Sequence, residues 1–300
     1  MSRVIIAGAS GLIGSSLVTA LKDRGDEVVR LVRRGSGGES SPGAATWDPS
    51  ARQLDPSVLE GADAVIVLNG ASIARIPWTR SYRRTLAVSR RDPVRTVVTA
   101  LHAMQGERPR LLSASAVGYY GSRPGERLTE TDPTGTGFLA GLCEAWEREA
   151  LGADDVTDVS LLRTASLLDQ DALLRPLIPL TLAGLAGPLG PGDQVIPWIT
   201  REDEVRAILH VLDAGLTGPV NLTSPARTTF DELGREVAGR LHRPYWLPVP
   251  APLLRATMGR GPAEGLLLAD ADVRPTALED SGFTFRHPGL GPALDAALTH

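Results

Sequence analysis

The chain has 300 residues, 42% of them hydrophobic and 22% charged, with a formal net charge of −4. This is an ordinary globular composition, long enough for one large domain or a domain with a smaller lobe. The mild acidity argues against a nucleic-acid surface, no run of about 18 apolar residues is present to span a membrane, and the single cysteine, Cys143, excludes an internal disulfide or a cysteine metal cluster. No charged-then-apolar leader precedes the first strand, so a cytoplasmic location is expected. Lys22 is the only lysine. Schiff-base chemistry and lysine-assisted tyrosine catalysis beyond residue 22 are therefore not expected.

Arg3 to Ala7 is a short apolar run rich in β-branched residues, which predicts a strand. Gly8-Ala9-Ser10-Gly11-Leu12-Ile13-Gly14 follows, and Ile13, Leu17 and Leu21 form one stripe of a helix. A strand, a glycine turn and a helix start make an anion cradle. The first N–H groups of a helix lack partners, its dipole favours negative charge, and glycines let the main chain approach a pyrophosphate. The spacing is GxxGxxG rather than the commoner GxGxxG. A dinucleotide site and a plain tight turn are the two readings of this stretch. Gly25 is expected as the left-handed cap of the first helix.

Residues 27–32 predict the second strand, which ends without an acid and runs into Arg33 and Arg34. An acid there would bind the 2′-hydroxyl of NAD, whereas an arginine pairs with the 2′-phosphate of NADP. The pair predicts NADP(H); the competing reading is a solvated turn. Residues 35–43 read as a loop, 44–47 as a short strand, and 55–59 as a small helix. Residues 62–68 form a near-continuous apolar run, as in a strand buried on both faces, ending in Asn69-Gly70-Ala71. A helix is predicted over 80–104, with a break or kink at Asp92-Pro93. The fifth strand, 109–113, leads into Ala114-Ser115-Ala116-Val117-Gly118-Tyr119-Tyr120-Gly121. A helix over 137–152, a strand over 156–162 before Arg163-Thr164, a helix over 201–214 and a strand over 218–222 complete the pattern. Thr228 and Thr229 before Asp231 and Glu232 predict a capped helix start. Alternating strands and helices predict a doubly wound α/β sheet.

These residues together resemble the short-chain dehydrogenase/reductase superfamily in its extended, sugar-nucleotide-epimerase-like form. Within it the chain is similar to an "epimerase family protein" branch. The resemblance rests on the glycine turn, on Asn69-Gly70-Ala71, and on Ser113-Ala114-Ser115 before Tyr119-Tyr120-Gly121. It rests also on Trp78-Thr79, Ser89-Arg90, Cys143 before Trp146-Glu147, and Trp198 to Asp203. It implies a Rossmann-type doubly wound parallel sheet with a smaller C-terminal α+β substrate lobe. The cofactor domain would cover 1–168 and parts of 195–222. The lobe would cover 169–194 and 223–300, with a domain of unknown function over 245–295.

By that resemblance the NADP(H) contacts are Gly8, Ser10, Gly11, Leu12, Ile13, Gly14, Arg33, Arg34, Asn69, Gly70, Ala71, Arg90, Ser113, Ala114 and Arg163. The superfamily's working Tyr-x-x-x-Lys pair is absent. Aligning Glu147 with the glutamate that follows the pair puts Leu139 at the tyrosine and Cys143 at the lysine.

Tyr119 and Tyr120 are then the tyrosines nearest Ser115. A neutral phenol is a poor base and a serviceable acid near pH 7. Ser115 and Tyr119 are the candidate catalytic residues, with Ser113 or Ser115 hydrogen-bonding the substrate oxygen and Arg163 or Arg90 supplying a nearby charge. The competing role for Tyr119 is packing beside the nicotinamide. Cys143 reads either as a small buried residue or as a thiol in the site. The five histidines show no metal spacing, and the five tryptophans read as core, with Trp78 and Trp198 alternatively lining a substrate mouth. Two functions follow: an NADP(H)-dependent reductase of a small molecule, or a non-catalytic NADP(H)-binding sensor. A nucleotide-sugar epimerase, which needs a base as often as an acid, ranks behind both. The expected assembly is a monomer or homodimer.

Overall fold

The computed structural model describes residues 1–35 and 42–299. Residues 36–41 of the predicted loop lie outside the described residues. Among the described residues the strands are β1 (Arg3–Ala7), β2 (Glu27–Arg33), β3 (Ala44–Trp47), β4 (Ala64–Val67), β5 (Arg110–Ala116), β6 (Arg127–Leu128), β7 (Val159–Thr164), β8 (Ser166–Leu167), β9 (Trp198–Ile199), β10 (Gly218–Leu222) and β11 (Asp272–Val273). Seven of them form one sheet in the order β10-β7-β5-β4-β1-β2-β3. Every neighbouring pair is parallel. The strand order reverses between β1 and β4, which opens a crevice at their carboxyl ends. The other strands make two short pairs, β6 with β11 and β8 with β9.

Helices cover both faces. α1 (Leu12–Asp23) and α5 (Arg201–Asp213) pack on one face, where Val4 and Ile6 meet Leu17, Leu21 and Ile208. α2 (Arg80–Ala103) and α3 (Phe138–Ala150) pack on the other, where Ile5 and Leu111 meet Val97, Leu101 and Trp146. Successive β1 side chains thus feed opposite layers, and all four residues of β4 are buried. A third core joins Leu174 of α4 (Leu174–Leu182) to Trp198 and to Phe230 and Leu233 of α6 (Phe230–Arg240). No helix among the described residues is long and apolar enough to cross a membrane.

Several local expectations meet their physics directly. Gly25 takes φ +84°, with its N–H donating to the Lys22 carbonyl and that of Asp26 to Leu21. Thr229 caps α6, its side chain accepting from Glu232 while Glu232 reaches back to the cap N–H. Two expectations shift. The break at Asp92-Pro93 does not occur, and α2 runs through it. An interior proline costs about 3 kcal/mol, but α2 buries Leu86, Val94, Val97 and Leu101, each worth about 1.5–3 kcal/mol. The strand expected over 156–162 begins at Val159, because the N–H groups of Val156 and Thr157 are drawn to Ala153 in the helical turn after α3. It continues through Arg163 and Thr164.

Candidate functional site

The turn between β1 and α1 is built by close approach. Gly8 has φ +89°, and a Cβ there would lie 2.9 Å from the Leu68 carbonyl carbon and 3.1 Å from the Asn69 nitrogen. A Cβ on Gly14 would lie 2.2 Å from the Gly8 carbonyl oxygen. Gly11 caps α1 without a side-chain acceptor, and no acid sits in the first turn. Gly11 and Ser10 are exposed, Leu12 and Ile13 half-buried. The helix therefore presents uncompensated N–H groups and positive dipole at the crevice. Gly14→Ala forces this turn open. The expected result is a fold weakened by about 1–3 kcal/mol, read from the thermal midpoint, with any phosphate ligand of the turn bound more weakly.

Beside the turn lies a cavity of about 660 Å³ whose walls include Arg33, Ser50, Asn69, Arg84, Thr85 and Ser89. Arg34 lies close enough to Asp48 to help hold its carboxyl below the ordinary range, after the larger effect of hydrogen bonds from Ser50 and Ala51. The Asn69 Oδ1 is buried without a partner among the described residues. Ala71 donates its N–H to the Ser89 hydroxyl at 2.9 Å. Gly70 leaves room for the Arg90 guanidinium, which would sit 3.2 Å from a Cβ there. Arg90 donates to the carbonyls of Leu86 and Ala71 at 3.1 Å each and lies 5.3 Å from the Trp146 ring centre. Burial lowers its pKa. No carboxylate pairs with it among the described residues, so this cation is desolvated without a countercharge.

At the exit of β5 the catalytic candidates take up partners within the fold. Ser113 and Ser115 share the face of Leu111, on which α2 and α3 pack. Ser113 is fully buried and its hydroxyl reaches only the Ala114 carbonyl at 3.3 Å. Ala114 is half-buried between the two serines. Ser115 gives its one proton to Glu147 at 2.6 Å and is left only as an acceptor. Arg163, expected at the cofactor, is buried and commits its donors elsewhere. Its Nε and Nη2 bond the two Glu147 oxygens at 2.8 and 2.9 Å, and Nη1 bonds the Tyr120 oxygen at 2.8 Å. Burial alone would lower the guanidinium pKa, but the Glu147 bonds outweigh it and hold Arg163 above the ordinary arginine value.

Tyr120 is fully buried, donates to Asn221 at 2.7 Å, and burial pushes its pKa to about 12. It is a structural phenol. Tyr119 is half-buried, with the Arg163 guanidinium 3.6 Å from its ring centre and Tyr120 edge-on. Its hydroxyl has no hydrogen-bond partner among the described residues. Cys143 is buried, and desolvation pushes its thiol to about 12, so it stays protonated. Leu139 packs with Trp78 and Phe138 in an apolar cluster that includes Leu266. Gly265 sits against this cluster, a Cβ there lying 3.1 Å from Leu139 and 3.5 Å from Trp78. Trp78 is buried in this cluster between α2, α3 and the C-terminal segment, and Trp198 is core as well, its indole bonded to Thr228.

Sequence reasoning missed Arg84, Ser50 and Thr85 as crevice walls. Ser81, Arg84, Thr85 and Val88 follow i, i+3, i+4, i+7, an exposed stripe, polar at three of its four positions, opposite the one that α2 buries. That periodicity is the signal that could have found them. The Glu147 ion pair was missed as well, since nothing in the spacing of residues 147 and 163 brings α3 against β7.

The NAD dependent epimerase/dehydratase family matches residues 4–222, and a domain of unknown function, DUF1731, matches 249–297. An epimerase family protein of Mycobacterium bovis is 40% identical over 299 residues, spanning 99% of this chain and 97% of its own. The human epimerase family protein SDR39U1 is 30% identical over 298 residues, spanning 97% of this chain and 98% of its own. A crystal structure of the human protein with NADPH matches with a TM-score of 0.89 at 26% identity, covering 99% of both chains. The glycine turn, the switch-point crevice and these matches place the chain in the NAD dependent epimerase/dehydratase family, within the extended short-chain dehydrogenase/reductase branch.

Proposed function

We propose that this chain binds NADP(H) across the β1–β4 switch point and reduces the carbonyl of a small molecule. The observation that carries the proposal is the crevice itself. An uncapped helix N-terminus opens beside a cavity with Arg33 on its wall, as a pyrophosphate and a 2′-phosphate require. The NADPH of the human relative supports the same choice. The residues fit the cofactor: Gly8 and Gly14 leave the space that a Cβ would fill, and the Asn69 oxygen awaits a donor. NADPH, when bound, supplies the hydride.

The chain's own part is to hold the carbonyl and deliver a proton to its oxygen. Tyr119 is the phenol left for that task. Tyr120 is locked between Arg163 and Asn221, Leu139 has no hydroxyl, and the Ser115 proton belongs to Glu147. The Arg163 guanidinium on the Tyr119 ring stabilises negative charge that develops on the phenol as the proton leaves. A proton donor suits reduction, while epimerisation also needs a base, and no lysine is present beyond Lys22. A second reading, a binding protein without chemistry, is favoured by the Ser115–Glu147 bond, which removes the usual partner of such a phenol.

NADPH consumption across a panel of aldehydes and ketones separates the two readings. Turnover that falls about a hundred-fold in Tyr119→Phe, with NADPH affinity unchanged, is the expected result. Turnover equal in both proteins would remove Tyr119 from the chemistry. The working unit in this proposal is a monomer or homodimer in the cytoplasm.

A further inference from the structure

We infer that Arg84 is a second phosphate-binding cation of the crevice, sharing its lining with Arg33, and that the pair sets the preference for a 2′-phosphorylated adenosine. The inference rests on the NADP(H) reading above and extends it to a residue on a different element. Arg33 ends β2 and forms one wall of the 660 Å³ cavity, next to the Asp48–Ser50 turn that follows β3. Arg84 lies one turn into α2 and lines the same cavity with Ser81, Thr85 and Val88. The far stripe of the same helix is buried in the sheet core, so the direction of Arg84 is fixed by packing that it takes no part in.

Arg84 is exposed and has no ion-pair or hydrogen-bond partner among the described residues. That separates it from Arg91 and Arg95 on the same helix, which both pair with Glu149. A surface arginine with a carboxylate in reach normally takes it. This one lines a cavity whose lining also includes Arg33.

Two carboxylates line the same cavity. The Asp48 Oδ1 already accepts from the Ser50 N–H, the Ser50 hydroxyl and the Ala51 N–H. Asp92 is eight residues further along α2, about 12 Å by helical rise. Neither neutralises Arg84. Two guanidiniums in the lining of one cavity suit a dianionic phosphate monoester, since each fork offers paired donors to its oxygens. A diphosphate held by backbone N–H groups at α1 needs no such pair. The chemistry recognised at this end is therefore a ribose 2′-phosphate.

The test titrates the wild-type chain, Arg84→Ala, Arg33→Ala and the double variant with adenosine 2′,5′-bisphosphate, 5′-AMP, NADPH and NADH. Each arginine variant is expected to bind both 2′-phosphorylated ligands about ten-fold more weakly. Binding of 5′-AMP and NADH is expected to stay within about two-fold, as for a cation that meets only the extra phosphate. Arg84→Ala binding adenosine 2′,5′-bisphosphate like wild type, while Arg33→Ala loses it, would overturn the role of Arg84 and leave the cofactor reading intact. Arg84→Ala weakening 5′-AMP as much as the bisphosphate would overturn it too, by making the contact indifferent to the 2′ position. A wild-type chain with no preference between NADPH and NADH would overturn the cofactor reading and this inference together. Identical thermal midpoints across the variants would show that the losses come from the crevice and not from the fold.

Discussion

Glu147→Ala should destabilise the folded chain by about 3–5 kcal/mol, the cost of leaving a buried charge without its partner. The Arg163 and Glu147 side chains are 4% and 6% exposed, so water cannot replace the missing carboxylate. The loss reaches further than one pair. Glu147 accepts from Ser115 as well as from two nitrogens of Arg163, and Arg163 in turn holds the Tyr120 oxygen and stacks on Tyr119. Removing the carboxylate strands a hydroxyl and a guanidinium together. Replacing both partners with apolar residues of similar size, Glu147→Leu with Arg163→Met, should recover most of the loss, because no buried charge remains. Urea unfolding of the two single variants and the double variant reads this as midpoints. A Glu147→Ala midpoint within about 0.5 kcal/mol of wild type would mean that the pair is solvated.

Glu204→Gln should stabilise the chain at pH 8 and flatten its dependence on pH. Glu204 is fully buried on α5, its Oε1 accepts from Thr164 at 2.8 Å, and its Oε2 has no partner. Burial raises the carboxyl pKa from 4.5 to about 8, the Thr164 bond opposing it only in part. Below the unfolded value both states hold the proton, and the contribution to stability is fully present. As pH rises the unfolded chain releases its proton first, so stability is lost progressively until the folded carboxyl ionises near pH 8. At about 1.4 kcal/mol per pH unit the loss is on the order of 3–5 kcal/mol. Glutamine keeps the Thr164 bond and cannot ionise. The difference in unfolding free energy between variant and wild type should therefore grow from pH 5 to pH 8. A constant difference over that interval would show that Glu204 is ionised in the fold throughout.

The strands of the sheet were legible because a strand buried on both faces has to be apolar along its length, as residues 64–67 are. The glycine turn was legible because its neighbours, a β-branched run and a striped helix, set its context. What stayed hidden depends on tertiary packing. Pro93 looked like a break because its local cost is visible in the sequence and the burial that offsets it is not. Ser115 looked like a donor to substrate because its place at the end of β5 is readable, whereas its partner lies 32 residues away on α3. Arg163 looked like a cofactor ligand for the same reason. Tyr119 and Tyr120 were indistinguishable as neighbours, and only the contact of Tyr120 with Asn221, 101 residues on, tells them apart. Arg84 was hidden because arginines crowd its helix, at 83, 84, 90, 91 and 95, and such a set reads as a solvated face.

The most direct test of the cofactor assignment is calorimetric titration of the wild-type chain and Arg33→Ala with NADPH and with NADH. The account predicts that wild type binds NADPH at least about ten-fold more tightly than NADH and that Arg33→Ala erases most of that preference, since a charge-assisted bond is worth about 1.5–3 kcal/mol. Equal affinity for the two nucleotides in wild type, or no heat with either, would contradict it.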